Sequence, residues 1–202
     1  MTTPFTSALS LIDAAHAEDP NKAPSPDNET PYELHYARKM THYLTLRLPS
    51  SSPLLQLAIR AQHFRRWEIP RSTYPATKAG YLAWRAFLKK HQAEQVEELL
   101  LSCGFSAEEV EHVGKLLRKE GLKADGAGED EELQVLEDVA CLVFLDDQFE
   151  EFGKGEVGKD EDKVIGILRK TWRKMSPRGR ELALGIQMTE GCQALIKKAL
   201  EE

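Results

Sequence analysis

Apolar residues recur at spacings of three and four along the 202-residue chain, the period of an amphipathic helix. Ala37, Met40 and Leu44 form one such stripe; Val164, Ile167, Leu168 and Thr171 form another. No stretch keeps the strict alternation of a half-buried strand. Four helix starts are written the same way, a hydroxyl followed by proline: Thr3-Pro4, Thr30-Pro31, Ser52-Pro53 and Ser176-Pro177. Proline suits the first helical position because its missing N–H would be unpaired there anyway. Thr30 with Glu33, and Ser106 with Glu109, also have capping-box spacing. These signals predict helices near 4–17, 31–48, 53–68, 76–102, 107–119, 131–152, 161–174, 177–186 and 189–201, with loops at 18–29 and 121–131. Residues 133–145 are apolar almost all round, which predicts a central buried helix. The expected fold is therefore all-α: one domain over residues 1–202, a bundle of about eight or nine helices.

Composition agrees with a folded chain: 41% hydrophobic and 30% charged residues are ordinary for a globular domain. The net charge of −6 alone argues against nucleic acid, but the charges are segregated. Residues 60–90 carry eight basic residues and one acid; residues 163–180 carry seven bases and none; residues 92–162 carry 22 acids against six bases. Two strongly basic blocks reopen the question of an anionic ligand. Cys103, Cys141 and Cys192 are far apart, and no CxxC occurs, so neither a disulfide framework nor a cysteine zinc site is indicated. No window approaches 18 apolar residues, and no basic leader precedes an apolar run, so no membrane role is expected. The expected location is the cytoplasm, with the nucleus as the other reducing compartment.

The richest stretch is 58–91, AIRAQHFRRWEIPRSTYPATKAGYLAWRAFLKKH. Arginine forks among aromatic rings suit a planar or phosphorylated anion, the guanidinium groups gripping oxygens and the rings stacking. Arg60, Arg66, Arg71 and Arg85 are the candidate anion-binding residues, and Trp67, Tyr74, Tyr81 and Trp84 the candidate pocket aromatics. The competing reading is a helical hairpin with its tryptophans in the core and its arginines in water. Asp138 sits inside the apolar helix beside Glu137, where a carboxylate must be paired, capped or bound to metal. A salt bridge to the arginine-rich hairpin is the plainer account. Glu33 shares the inward face with Ala37 and Met40, whereas His35 and His42 face away. For His16, near the end of the first helix, a solvated or helix-dipole-complementing role suffices. A lone Glu109-x-x-His112 falls short of a di-iron site.

Glu33 or His35, then His63, His91, His112 and Asp138, are spread over successive helices in a layout that resembles the all-helical HD-domain metal phosphohydrolases. Their defining His-Asp pair stands here as His63-Phe64. The resemblance implies one divalent metal held by His63, Asp138, Glu33 and His91. Lys174-Met175-Ser176-Pro177-Arg178 is similar to the KMSKS signature of class I aminoacyl-tRNA synthetases. No HIGH sequence or βαβ pattern accompanies it, so Ser176-Pro177 is read as a helix start, and the chain is not a synthetase.

At AEDPNK, RAQHFRRWEIPRSTYP, KAGYLAWR, LQVLEDVACLVFL and ILRKTWRKMS the chain resembles, over nearly its whole length, the family catalogued as domain of unknown function 4202. That resemblance implies no settled activity. It implies that His63, Arg66, Trp67, Pro70, Arg71, Tyr74, Pro75, Gly80, Tyr81, Trp84, Arg85, His91, Glu137 and Asp138 belong to the family's motif and that His35 usually does not. Glu33 is then the favoured partner of His63. Two functions are expected. One is a diverged HD-like, metal-dependent hydrolase of a phosphorylated or nucleotide-like substrate. The other is a non-catalytic module that uses residues 60–90 to bind an anionic ligand, RNA or an acidic protein, with a small anionic molecule favoured over RNA.

Overall fold

The computed structural model describes residues 2–23, 29–123, 128, 130–149 and 161–201. All regular elements among them are helical, as expected, with two isolated bridges, Lys22–Pro31 and Leu122–Gly128. The ends of the predicted loops and helix at 24–28, 124–127, 129 and 150–152 lie outside the described residues. The chain forms two compact units: residues 1–42 with 50–120, and residues 43–49 with 121–202.

The first unit holds α1 (Pro4–His16), most of α2 (Tyr32–Arg47), α3 (Pro53–Arg60), α4 (Lys78–Ser102) and α5 (Ala107–Arg118). The hydroxyl–proline starts work as read at α1 and α3: Thr3 Oγ1 accepts from Thr6 N at 3.2 Å, and Ser52 Oγ accepts from Leu55 N at 3.0 Å. Both halves of the Ser106–Glu109 capping box are made. α2 differs. Pro31 stands in the bridge to Lys22, the helix begins at Tyr32, and the first-turn N–H of Glu33 is taken by Asp19 Oδ2 at 3.0 Å. Helix α5 packs on α3 and α4, and α1 on α3 and α4, around Ile12, Leu55, Ile59, Val96, Leu100 and Val113.

The helix predicted over 53–68 ends at Arg60. His63 and Arg65 take left-handed backbone, with φ of +64° and +48°. Two single turns follow, at Arg66–Glu68 and Arg71–Thr73, before α4 begins. Arg60, His63 and Trp67 are therefore not one helical face. Left-handed backbone at a residue with a Cβ costs about 1–3 kcal/mol and persists only where the surroundings hold it. Periodicity carries no sign of it. Gly80 is required by a close approach: a Cβ there would lie 2.2 Å from Pro75 O, so α4 seats directly on the Pro75 turn.

The second unit holds α6 (Glu131–Val143), α7 (Glu161–Lys174), α8 (Pro177–Leu184) and α9 (Glu190–Leu200). Helix α6 buries Leu133, Val135, Leu136, Val139, Leu142 and Val143, so it is the core helix that its composition suggests. It continues into a wider turn of helix at 144–148. It packs on α7 and α8, and α7 packs on α9. No helix among the described residues is long and apolar enough to cross a membrane.

Candidate functional site

The left-handed turn after α3 delivers His63 to a buried carboxyl. The His63 ring stacks on Tyr36 at 4.1 Å and 12°. Its Nδ1 lies 3.5 Å from Glu33 Oε2, and neither atom has a hydrogen-bond partner though both are buried. Its Nε2 lies 2.7 Å from Arg66 Nη1. A guanidinium only donates, so Nε2 carries the lone pair and the ring proton sits on Nδ1, facing Glu33. Burial, then the charges of Arg66, Arg85 and Lys119, hold the His63 basicity well below the usual histidine range. Glu33 moves the other way. Burial pushes its carboxyl up to about 8, against the pull of Arg66 and with a smaller push from Asp19.

The four candidate anion-binding arginines separate into two kinds. Arg60 is consumed by the fold: Nε and Nη2 grip Asp13 at 2.6 and 2.8 Å, and Nη1 donates to Thr41 Oγ1 at 3.0 Å. Arg71 donates to the carbonyls of Tyr74 at 2.8 Å and Pro75 at 2.7 Å, fixing the loop ahead of α4, and lies 6.0 Å over the Tyr81 ring. Arg66 instead lies 4.9 Å over the Trp84 ring, and no carboxylate among the described residues is within ion-pairing distance of it. Burial lowers its pKa; Glu33 opposes this from further off, and Arg85 adds to it. Arg85, the next residue after Trp84, likewise has no acid partner among the described residues. Both guanidinium groups are half-buried.

The candidate aromatics frame this corner. Trp84 is buried and donates from Nε1 to Ile69 O at 2.9 Å. Tyr81 is exposed, while Trp67 and Tyr74 are half-buried. His91 is half-buried, stacked on Phe87 at 5.3 Å. His16 is not solvated as the sequence suggested: it is fully buried and donates from Nε2 to Arg60 O at 2.9 Å. His112 is exposed.

Asp138 belongs to the second unit and has its own partners. Its Oδ2 accepts from Arg47 Nε at 2.6 Å and from Ser176 Oγ at 2.5 Å. Its Oδ1 accepts from Ser176 N at 2.7 Å and Gln134 Nε2 at 3.0 Å. The arginine comes from the end of α2, not from the 60–90 hairpin. Ser176 Oγ also caps α8 by accepting from Gly179 N at 3.1 Å, so the KMS-like string is a helix start tied to α6. Glu137, also buried, lies 3.8 Å from Lys174 Nζ.

A family model described as "Domain of unknown function (DUF4202)" matches residues 6–196. The chain belongs to that family. No curated protein and no solved structure matches it. The match spans both units, so the Glu33–His63–Arg66 corner and the Asp138 cluster both lie within the family's extent.

Of the four candidate metal ligands, Glu33, His63 and His91 belong to the first unit and Asp138 to the second. Among the described residues, no three His, Cys, Asp or Glu gather at metal-binding spacing. The Nε2 lone pair of His63 accepts from Arg66, and both Asp138 oxygens already accept from two donors each. The described residues also line an open apolar pocket of about 450 Å³ in the second unit, among Leu145, Leu168, Trp172, Ile186 and Ile196. None of the candidate site residues lines it. Sequence reasoning missed Tyr36 and Lys119 at the first site and Arg47 at the second. Tyr36 had a usable signal, because it follows Glu33 by three residues and so shares its helix face.

Proposed function

We propose that the protein binds a small phosphate-bearing molecule through Arg66 and Arg85 in its first unit. One observation carries this: half-buried Arg66 lies on Trp84, next in the chain to Arg85, and has no carboxylate within ion-pairing distance among the described residues. Burying a cation without an anion is unfavourable, and a phosphate supplies the missing charge with a geometry that matches a guanidinium fork. A small ligand fits better than RNA. An RNA surface with steep salt dependence neutralises about 6–10 phosphates. In the 60–90 block Arg60 is paired with Asp13, Arg65 with Glu18 and Glu68, and Arg71 with backbone carbonyls. The three free cysteines fit the same reading in a reducing compartment, the cytoplasm or nucleus.

Isothermal titration with inorganic phosphate tests the proposal. Wild type binds, and Arg66→Ala weakens binding by about 10–100-fold, the worth of about 1.5–3 kcal/mol for a hydrogen bond to a charged group. Arg60→Ala lowers stability through Asp13 without acting on the phosphate directly. Equal affinity in wild type and Arg66→Ala would refute the assignment.

A further inference from the structure

We infer that Glu33 positions His63, and that His63 Nε2 takes the proton of a water that hydrolyses a phosphate monoester held by Arg66 and Arg85. The inference rests on the phosphate-binding reading and adds a reaction to it.

The geometry is that of an oriented base. His63 Nδ1 and Glu33 Oε2 face one another at 3.5 Å, both buried and both without another partner. The Tyr36 ring fixes the imidazole plane from one side. Only 18% of the His63 side chain meets solvent, and Nδ1 is not in that part. With the proton held on Nδ1, the lone pair is on Nε2, directed to the guanidinium that would grip the ligand. Left-handed backbone at both His63 and Arg65 maintains this placement, and such strain concentrates at functional sites. Burial and the neighbouring cations hold His63 well below the usual histidine range, so the imidazole is neutral and able to accept a proton. The groups facing them are Asp19 and Arg66 for Glu33, and Arg66, Arg85, Lys119 and His16 for His63.

The step balances without a redox partner or a metal. Arg66 turns its guanidinium to the phosphate oxygens and releases Nε2. The water oxygen forms a bond to phosphorus while its proton passes to Nε2. The ester P–O bond breaks, and the leaving oxygen departs with the electron pair and takes a proton from solvent. Ionised Glu33 stabilises the imidazolium through Nδ1–H, and the imidazolium returns its proton to solvent. His63 is the catalytic residue; Glu33 is a positioning residue.

The test is p-nitrophenyl phosphate turnover in the presence of a chelator, with inorganic phosphate titrated separately. His63→Asn is the main variant because asparagine tolerates left-handed backbone. Its turnover falls by about 100-fold or more, the usual worth of a general base, while it still binds inorganic phosphate. In wild type the rate rises as Glu33 ionises at about 8. In Glu33→Gln that rise disappears, which a merely structural role would not produce. Phosphate binding without His63-dependent turnover overturns the inference and leaves the binding reading standing. Absence of phosphate binding overturns both.

Discussion

Asp138→Ala should lower the stability of the second unit by about 3–5 kcal/mol, because it removes the anion from a buried, fully hydrogen-bonded pair. The carboxylate is completely buried and accepts from four donors on three segments: Arg47, Ser176 through both N and Oγ, and Gln134. Truncation leaves the Arg47 guanidinium, itself only 11% exposed, without its counter-charge. It also leaves the Ser176 N–H at the start of α8 without an acceptor. A loss of that size is a large share of the roughly 5–15 kcal/mol that holds a domain folded. At about 2–4 °C per kcal/mol for a chain of this length, melting should fall by roughly 6–20 °C. Asp138→Asn keeps the shape but also removes the charge and sets an amide NH2 against two of the donors, so it should be destabilising as well. Gly179→Ala should act in the same direction, since its Cβ would sit 2.6 Å from Asp138 Oδ1. A melting curve of Asp138→Ala that overlays wild type would mean the cluster is not the fastening described here.

Glu33→Gln should change the pH dependence of stability, with its largest effect at alkaline pH. The folded chain keeps the Glu33 proton up to about 8, whereas the unfolded chain releases it near 4.5. The stabilising contribution is therefore fully present below 4.5 and is lost as pH rises through 8. The slope is about 1.4 kcal/mol per pH unit, so the loss is about 5 kcal/mol at most. His63 and His16 act with the opposite sign. Their folded-state values lie below the ordinary 6.5, so their contribution is present above 6.5 and declines as pH falls below it. Wild type should be most stable near pH 6.5 and should weaken from there to pH 8. In Glu33→Gln the alkaline decline should vanish, making the variant the more stable protein at pH 9. Denaturant titrations at pH 5, 6.5 and 9 read this directly. Parallel curves for the two proteins across that range would show that Glu33 is not held protonated by the fold.

These two predictions concern residues that the sequence singled out, but for partly different reasons. The helical fold was legible because its signals are local: Thr3-Pro4, Ser52-Pro53 and Ser176-Pro177 cap their own helices, and the all-round apolar pattern of α6 marks a core element. The inward-facing carboxyls Glu33 and Asp138 were legible too, because a charge on an apolar face demands a partner. Which partner it finds is a long-range matter. Arg47 lies 91 residues from Asp138, and Asp13 lies 47 from Arg60; neither spacing leaves a trace in periodicity. The largest misreading, a helix carried on to residue 68, came from His63 and Arg65. Their left-handed backbone is sustained by tertiary contacts, not by glycine. That same turn makes the site, by bringing His63 to Glu33 and Arg66 to Trp84. The four arginines of one sequence block do different work: Arg60 holds Asp13 and Arg71 its loop carbonyls, while Arg66 and Arg85 are the pair we propose for an anion.

The most direct test of that assignment is a nitrogen-15 NMR titration with inorganic phosphate that follows the side-chain Nε signals of Arg60, Arg66, Arg71 and Arg85. The account predicts saturable shifts at Arg66 and Arg85, with Arg60 held on Asp13 and Arg71 on its carbonyls and both staying in place. Saturation that moves Arg60 or Arg71 while leaving Arg66 still would contradict it.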